Sequence, residues 1–186
     1  MNAPSFYLKI ALILINFAKL TYIKCMAKEI ERKFIVKNTD YIDMAVSCHK
    51  IRQGYLSTNP QSTVRIRVID NLAFLTVKSK NIGATRNEWE YCIPEKDAVE
   101  ILEKCNSEEC WQIEKTRYIV PYRGHTWEID VFHGALQGLT VAEIELTEEF
   151  ERFEKPEFIG IEVTNDPRFY NSSLIKSKSI PEINEE

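Results

Sequence analysis

Seven segments of this chain carry charged residues at alternate positions, and in most of them the charges share a sign. In "EIERK", Glu29, Glu31 and Lys33 occupy every second position. A β-strand turns successive side chains to opposite faces, so these three share one side while Ile30 and Phe34 share the other. The spacing returns as Arg65 and Arg67 in "TVRIRVI", Lys78 and Lys80 in "LTVKSK", and Glu88 and Glu90 in "RNEWEY", where Arg86 continues the row. It returns again as Lys115 and Arg117 in "EKTRYIV", Glu128 and Asp130 in "WEIDVF", and Glu143 and Glu145 in "AEIEL". A strand with one wet face needs no such sorting by sign, and like charges two residues apart repel. Closure of about eight antiparallel strands, charged faces inward, accounts for the pattern, because such a barrel encloses a small ligand cavity. The apolar faces then look outward, partly under helices, and some of the core lies outside the barrel.

Strands are expected at 29–36, 50–56, 63–69, 73–78, 86–93, 111–120, 125–132 and 139–146, with 160–163 a further short candidate. Turn-forming stretches such as "NPQS", "NIG", "YRGH" and "HGALQG" separate them. Helices are expected at 94–105, where Pro94 precedes a helical apolar pattern, and at 147–156, where acidic residues follow Thr147. A short terminal helix within 166–177 is expected to fold back on the barrel. The expected class is mainly β (α+β): a closed eight-stranded antiparallel barrel with a charged interior and a few flanking helices.

At 186 residues, 44% of them hydrophobic, the chain suits one domain with a substantial core. With 24 basic against 28 acidic residues the net charge is -4, which excludes the broad basic field that draws proteins to nucleic acid. Five cysteines without paired CxxC spacing argue against a disulfide framework and against a zinc site, and fit a reducing cytoplasm. The apolar run from Ile10 to Ile15 is too short to span a bilayer, and lysines at 9, 19 and 24 surround it. Met26 immediately precedes the patterned region, so residues 1–25 are read as an N-terminal extension, 26–178 as the domain and 179–186 as a disordered acidic tail.

Paired Arg and Lys side chains are dense donors for a polyanion, and Arg grips phosphate oxygens in bidentate fashion. Clustered carboxylates would repel that anion unless a hard divalent cation such as Mg²⁺ or Mn²⁺ sat between them. A basic wall facing a metal-bearing acidic wall is what phosphoryl transfer needs, since its catalysis is mostly positioning and charge neutralisation. The chain has neither a P-loop nor a GxGxxG motif.

The ordered set resembles the CYTH domain, the triphosphate tunnel metalloenzyme family. "EIERKF" is similar to its ExExK signature. The resemblance continues through Arg65 and Arg67, the Lys78 strand, Glu88 and Glu90, Lys115 and Arg117, "WEIDVF", "AEIEL" and "GIEVTNDPRFYNSSL", covering about residues 27–175. It implies an eight-stranded tunnel and a metal-dependent hydrolysis of triphosphate compounds, foremost inorganic triphosphate to pyrophosphate and phosphate. It assigns Glu29, Glu31, Glu143 and Glu145 to the metal with Asp130 assisting, and Glu88 and Glu90 to a second metal. Lys33, Arg65, Arg67, Lys78, Lys80 and Arg117 become the triphosphate clamp, and Lys115 the residue beside the scissile phosphate. The implied partner is a small anionic substrate, not nucleic acid or membrane, with a homodimer left open.

Class IV adenylyl cyclase, thiamine or nucleoside triphosphate hydrolysis, and a non-catalytic polyphosphate binder share the same clamp and stay open at this point. Lys80 and Arg86 read equally well as solvated residues at the tunnel mouth, and Glu128 and Glu162 as partners of neighbouring arginines. His49, His125 and His133 show no metal spacing, Trp89, Tyr118, Trp127 and Phe132 read as packing residues, and Tyr55 in "RQGYL" is left undecided.

Overall fold

The computed structural model describes residues 30–59, 61–80, 87–104 and 112–183. Nine strands form one antiparallel sheet: β1 (Ile30–Val36), β2 (Ser47–Asn59), β3 (Ser62–Ile69), β4 (Leu72–Ser79), β5 (Glu88–Ile93), β6 (Ile113–Tyr122), β7 (His125–Phe132), β8 (Thr140–Leu146) and β9 (Ile159–Glu162). Three α-helices accompany it: α1 (Tyr41–Met44), α2 (Glu95–Lys104) and α3 (Asn171–Ser177). The hydrogen-bonded order is β5-β4-β3-β2-β6-β7-β8-β1-β9.

Each expected strand is present, and the tunnel-like fold class holds. The expected closed eight-stranded barrel is corrected: among the described residues there are nine strands, and the ladder does not close. The reason lies at β1. Over Phe34–Val36 its outer edge is taken by β9, through a pairing whose register shifts between those two residues, so that stretch of edge is not offered to β5. The sheet nevertheless coils around its charged face, where Lys33, Arg65, Arg67, Lys78, Lys115, Arg117, Asp130 and Glu143 are only 1–13% exposed.

Two of the three apolar clusters lie on the outer face. Ile30, Phe34, Val120, Trp127, Ile129, Ala142, Ile144 and Leu146 alternate with the charged positions and pack beneath Tyr41, Phe153 and Phe158. Phe34 and Trp127 are fully buried and meet edge to face at 5.6 Å, each burial stabilising the fold by about 1.5–3 kcal/mol. Further round, α2 lays Ala98 and Leu102 over Ile66, Val68 and Ala73.

The third cluster is inside. Ile35, Tyr55, Ile113, Phe132 and Val141 share the charged face, as the register pairs Ile35 with Val141 and Phe132 with Lys115. They pack against Phe169, Leu174 and Ile175. The terminal helix therefore stops one end of the tunnel. Its approach is fixed by Asp166, which accepts the backbone N–H of Arg168 beside Pro167, and it ends at Lys178 in a left-handed conformation (φ 53°).

The helix expected at 147–156 is not formed; bends and turns cover 147–150 and irregular chain follows. Glu151 reaches back to accept from the Thr147 N–H (2.6 Å) and hydroxyl (2.7 Å), and its other oxygen meets His125 at 2.9 Å. Downstream, Phe153 packs edge to face on Phe34 and Trp127. These long-range contacts hold the segment flat on the sheet and outweigh its helical pattern. Residues 1–29, including the expected N-terminal extension, and the end of the acidic tail at 184–186 lie outside the described residues.

Candidate active site

On the inward face, the charged side chains gather into two groups separated by β2. In the first, Arg67 donates to Glu90 at 2.7 Å, Lys78 pairs with Glu88 at 2.9 Å, and Arg65 stands 3.6 Å from Glu90 and 3.9 Å from Glu88. Thr76, buried between them, donates to Glu90 at 2.9 Å. In the second, Arg117 grips Asp130 through two bonds, Nε to Oδ1 at 2.7 Å and Nη2 to Oδ2 at 2.6 Å. It also reaches Glu143 at 2.8 Å and pairs with Glu128. Lys115 donates to Asp130, and Lys33 to both Glu31 and Glu143. Buried charges persist only when paired in this way.

The pairing sets the proton affinities. Burial alone would push the Lys33 ammonium down, but Glu143 and Glu31 outweigh it and hold it above its ordinary value. For Arg117, Asp130, Glu143 and Glu128 likewise outweigh burial. Burial opposes ionisation of Glu143, yet Lys33, Arg117 and Lys115 hold it well below the usual carboxylate range. Two groups go the other way. Arg67 is pushed down to about 10 by burial and by the neighbouring Arg65. In Lys115, burial prevails over Asp130 and lowers the ammonium below its ordinary value.

Exposure grades along the face. At the stopped end Lys115 and Asp130 are 2% and 1% exposed, and Lys115 sits over the Phe132 ring at 5.5 Å. Toward the other end Glu31 reaches 24% and Glu128 42%. The chamber is thus wet at one end and dry at the other.

A divalent cation suits the chemistry of the acids near the wet end. Glu31 stands opposite Glu145 in the β1–β8 register, and Glu143 faces the tunnel two positions deeper. Carboxylate oxygens are the donors that hard cations take. Glu143 is engaged by Lys33 and Arg117, and among the described residues no three acidic, histidine or cysteine side chains converge tightly enough to hold an ion. Asp130 has both oxygens occupied by Lys115 and Arg117.

The structure brings together Lys33, Arg65, Arg67, Lys78, Lys115, Arg117, Glu31, Glu88, Glu90, Asp130 and Glu143. Glu145 shares their face but is exposed. Lys80 lies past the end of β4, exposed, and Glu29 and Arg86 fall outside the described residues. Glu128 pairs with Arg117 and Glu162 with Arg32, as expected of arginine partners. Two residues on this face escaped the sequence reading. Thr76 sits two positions before Lys78, so the same alternation points to it. Gln53 carries no charge and is fully buried on β2, between the two groups.

An antiparallel sheet coiled around opposed carboxylates and buried cations defines a tunnel-like fold with a charged interior, and this chain belongs to the CYTH domain family, whose model matches residues 27–172. Two relatives are named inorganic triphosphatase. The one from Acetivibrio thermocellus is 46% identical over 152 residues, covering 82% of this chain and 96% of its own. That from Nitrosomonas europaea is 36% identical over 153 residues, covering 80% and 97%. A crystal structure of an inorganic triphosphatase matches with a TM-score of 0.61 at 34% identity, covering 84% of this chain and 99% of that one.

Proposed function

We propose that this protein hydrolyses inorganic triphosphate to pyrophosphate and phosphate with the help of Mg²⁺ or Mn²⁺. The observation that carries the reading is the convergence of six enclosed cations, Lys33, Arg65, Arg67, Lys78, Lys115 and Arg117, on one face of a chamber stopped at one end. A bare polyanion fits it, because each of its phosphoryl groups exchanges these cations' carboxylate partners for its own oxygens. Names of the relatives support the same substrate.

Lys33, Arg65, Arg67, Lys78 and Arg117 bind and straighten the triphosphate. Glu29, Glu31, Glu143 and Glu145 would hold the metal ion, which when bound neutralises phosphate charge and lowers the pKa of coordinated water. Lys115, whose lowered proton affinity makes it a better acid, protonates the leaving bridging oxygen. Asp130 is assigned here to positioning instead of metal binding, since it holds Lys115 and Arg117 in place.

The test is phosphate release from inorganic triphosphate, ATP and thiamine triphosphate, each with Mg²⁺, with Mn²⁺ and with chelator. Wild-type protein is expected to prefer the bare triphosphate and to stop when metal is removed. Glu29→Gln combined with Glu31→Gln should abolish turnover while binding triphosphate at least as well. Cyclic AMP made from ATP, or unchanged phosphate release in the double variant, would overturn the assignment.

A further inference from the structure

Gln53 lies on β2, the one strand between the two charged groups. It faces Arg67 on β3 and Ile113 on β6, with Lys115 its diagonal neighbour beside Ile51. It is 1% exposed, and neither its amide oxygen nor its amide nitrogen has a hydrogen-bond partner among the described residues. The Nε atoms of Arg65 and Arg67 are buried without partners on the same strip. A buried amide lacking every bond is rare in folded proteins, and one placed at the junction of two substrate-binding groups calls for a ligand.

The two halves of the amide specify that ligand differently. Its N–H donates, and a fully ionised phosphoryl oxygen accepts. Its carbonyl can only accept, which ionised phosphate does not answer but water does. Resting on the triphosphatase reading, we propose that Gln53 orients the attacking water, its Oε1 accepting one water O–H while its Nε2 donates to an oxygen of the terminal phosphoryl group. The water oxygen bonds to the terminal phosphorus as the bond from that phosphorus to the bridging oxygen breaks. Lys115 gives its proton to that bridging oxygen as pyrophosphate departs. The proton lost by the water restores Lys115, and the other stays on the phosphate. The amide itself exchanges no proton; its work is alignment, which is where most of the catalysis of phosphoryl transfer lies.

Gln53→Met keeps the length of the side chain and deletes both polar atoms; Gln53→Glu keeps an acceptor and deletes the donor. With inorganic triphosphate and Mg²⁺ or Mn²⁺, Gln53→Met is expected to lower kcat about 100-fold, the size of effect a misaligned reactant produces. Its KM should move less than about threefold and its Tm stay level or rise, because an unpaired buried amide is gone. Gln53→Glu is expected to keep kcat within about threefold and raise KM more than about tenfold, since it sets a carboxylate against the anion. An active wild type whose Gln53→Met variant keeps its kcat overturns this assignment alone, and so does a Gln53→Met variant whose losses follow only the fraction unfolded. A wild type inactive toward triphosphate overturns the parent reading, and this one with it.

Discussion

Lys115 shows how a single residue can be both anchored and primed. The bond to Asp130 fixes where its ammonium points, and burial against Phe132 weakens its hold on the proton. Lys115→Ala is expected to lower kcat by about 10³-fold while changing KM less than tenfold, within the range that general acid catalysis contributes. Steady-state kinetics with inorganic triphosphate measure it, and an unchanged kcat would remove Lys115 from the mechanism. At this scale the sequence was legible wherever the inward face carries charge, because a period of two marks Arg65, Arg67, Lys115 and Arg117 as sharing a face. It was illegible where the face carries a neutral group. Gln53 stands between Ile51 and Tyr55 on its face, and nothing in "IRQGY" separates a buried amide from a solvated one. Pairing choices were also hidden: whether Asp130 serves a metal or two cations depends on which side chains cross from β6 to β7.

The elements were readable for the opposite reason, since strands of this length advertise themselves by alternation. What alternation does not carry is the fate of an edge. β9 is short, and it fits beside β1 because Gly160 has no side chain: a Cβ there would come within 2.8 Å of the Ile35 carbonyl oxygen. Backbone does not move aside cheaply, so Gly160→Ala is expected to destabilise the protein by about 1–3 kcal/mol. Hydrogen exchange should report the change locally, with protection lost at Lys37 and Val163, whose N–H groups bond to Phe158 and Lys33. Full protection at those amides would contradict the close approach. The 147–156 segment fails as a helix on similar grounds. Its partners, His125, Phe34 and Trp127, are distant in sequence, and no local window contains them.

The molecule as a whole is a shell with apolar clusters outside, an apolar stop at one end and opposed charges within, and its stability follows its protonation. Glu143 and Glu151 are both held below the ordinary carboxylate value of 4.5, Glu143 against burial by Lys33 and Arg117, Glu151 to about 2 by Thr147 and His125. The unfolded chain therefore binds more protons as the pH falls, so the stabilisation is complete above 4.5 and is lost on the way down through the folded values. On the alkaline side Lys33, held above its ordinary 10.5, contributes fully below that pH and loses its contribution above it. Thermal melts should show Tm falling as the pH drops below 4.5, with a shallower fall in Glu151→Gln; a Tm flat to about pH 3 would refute the linkage. Barrel closure is where the ladder of the described residues departs from the sequence expectation, with β9 on part of the β1 edge.

The apolar stop formed by Leu174, Ile175 and Phe132 has a consequence for the order of product release. A blind alley empties in reverse order of filling. If the reacting end of the triphosphate lies deep, beside Lys115 and Gln53, then the phosphate it releases sits behind the pyrophosphate, and the larger product must depart first. Kinetics record such a queue: phosphate, last to leave, should compete directly with triphosphate, whereas pyrophosphate should inhibit in a mixed pattern, and the reverse assignment would mean that the substrate enters the other way round.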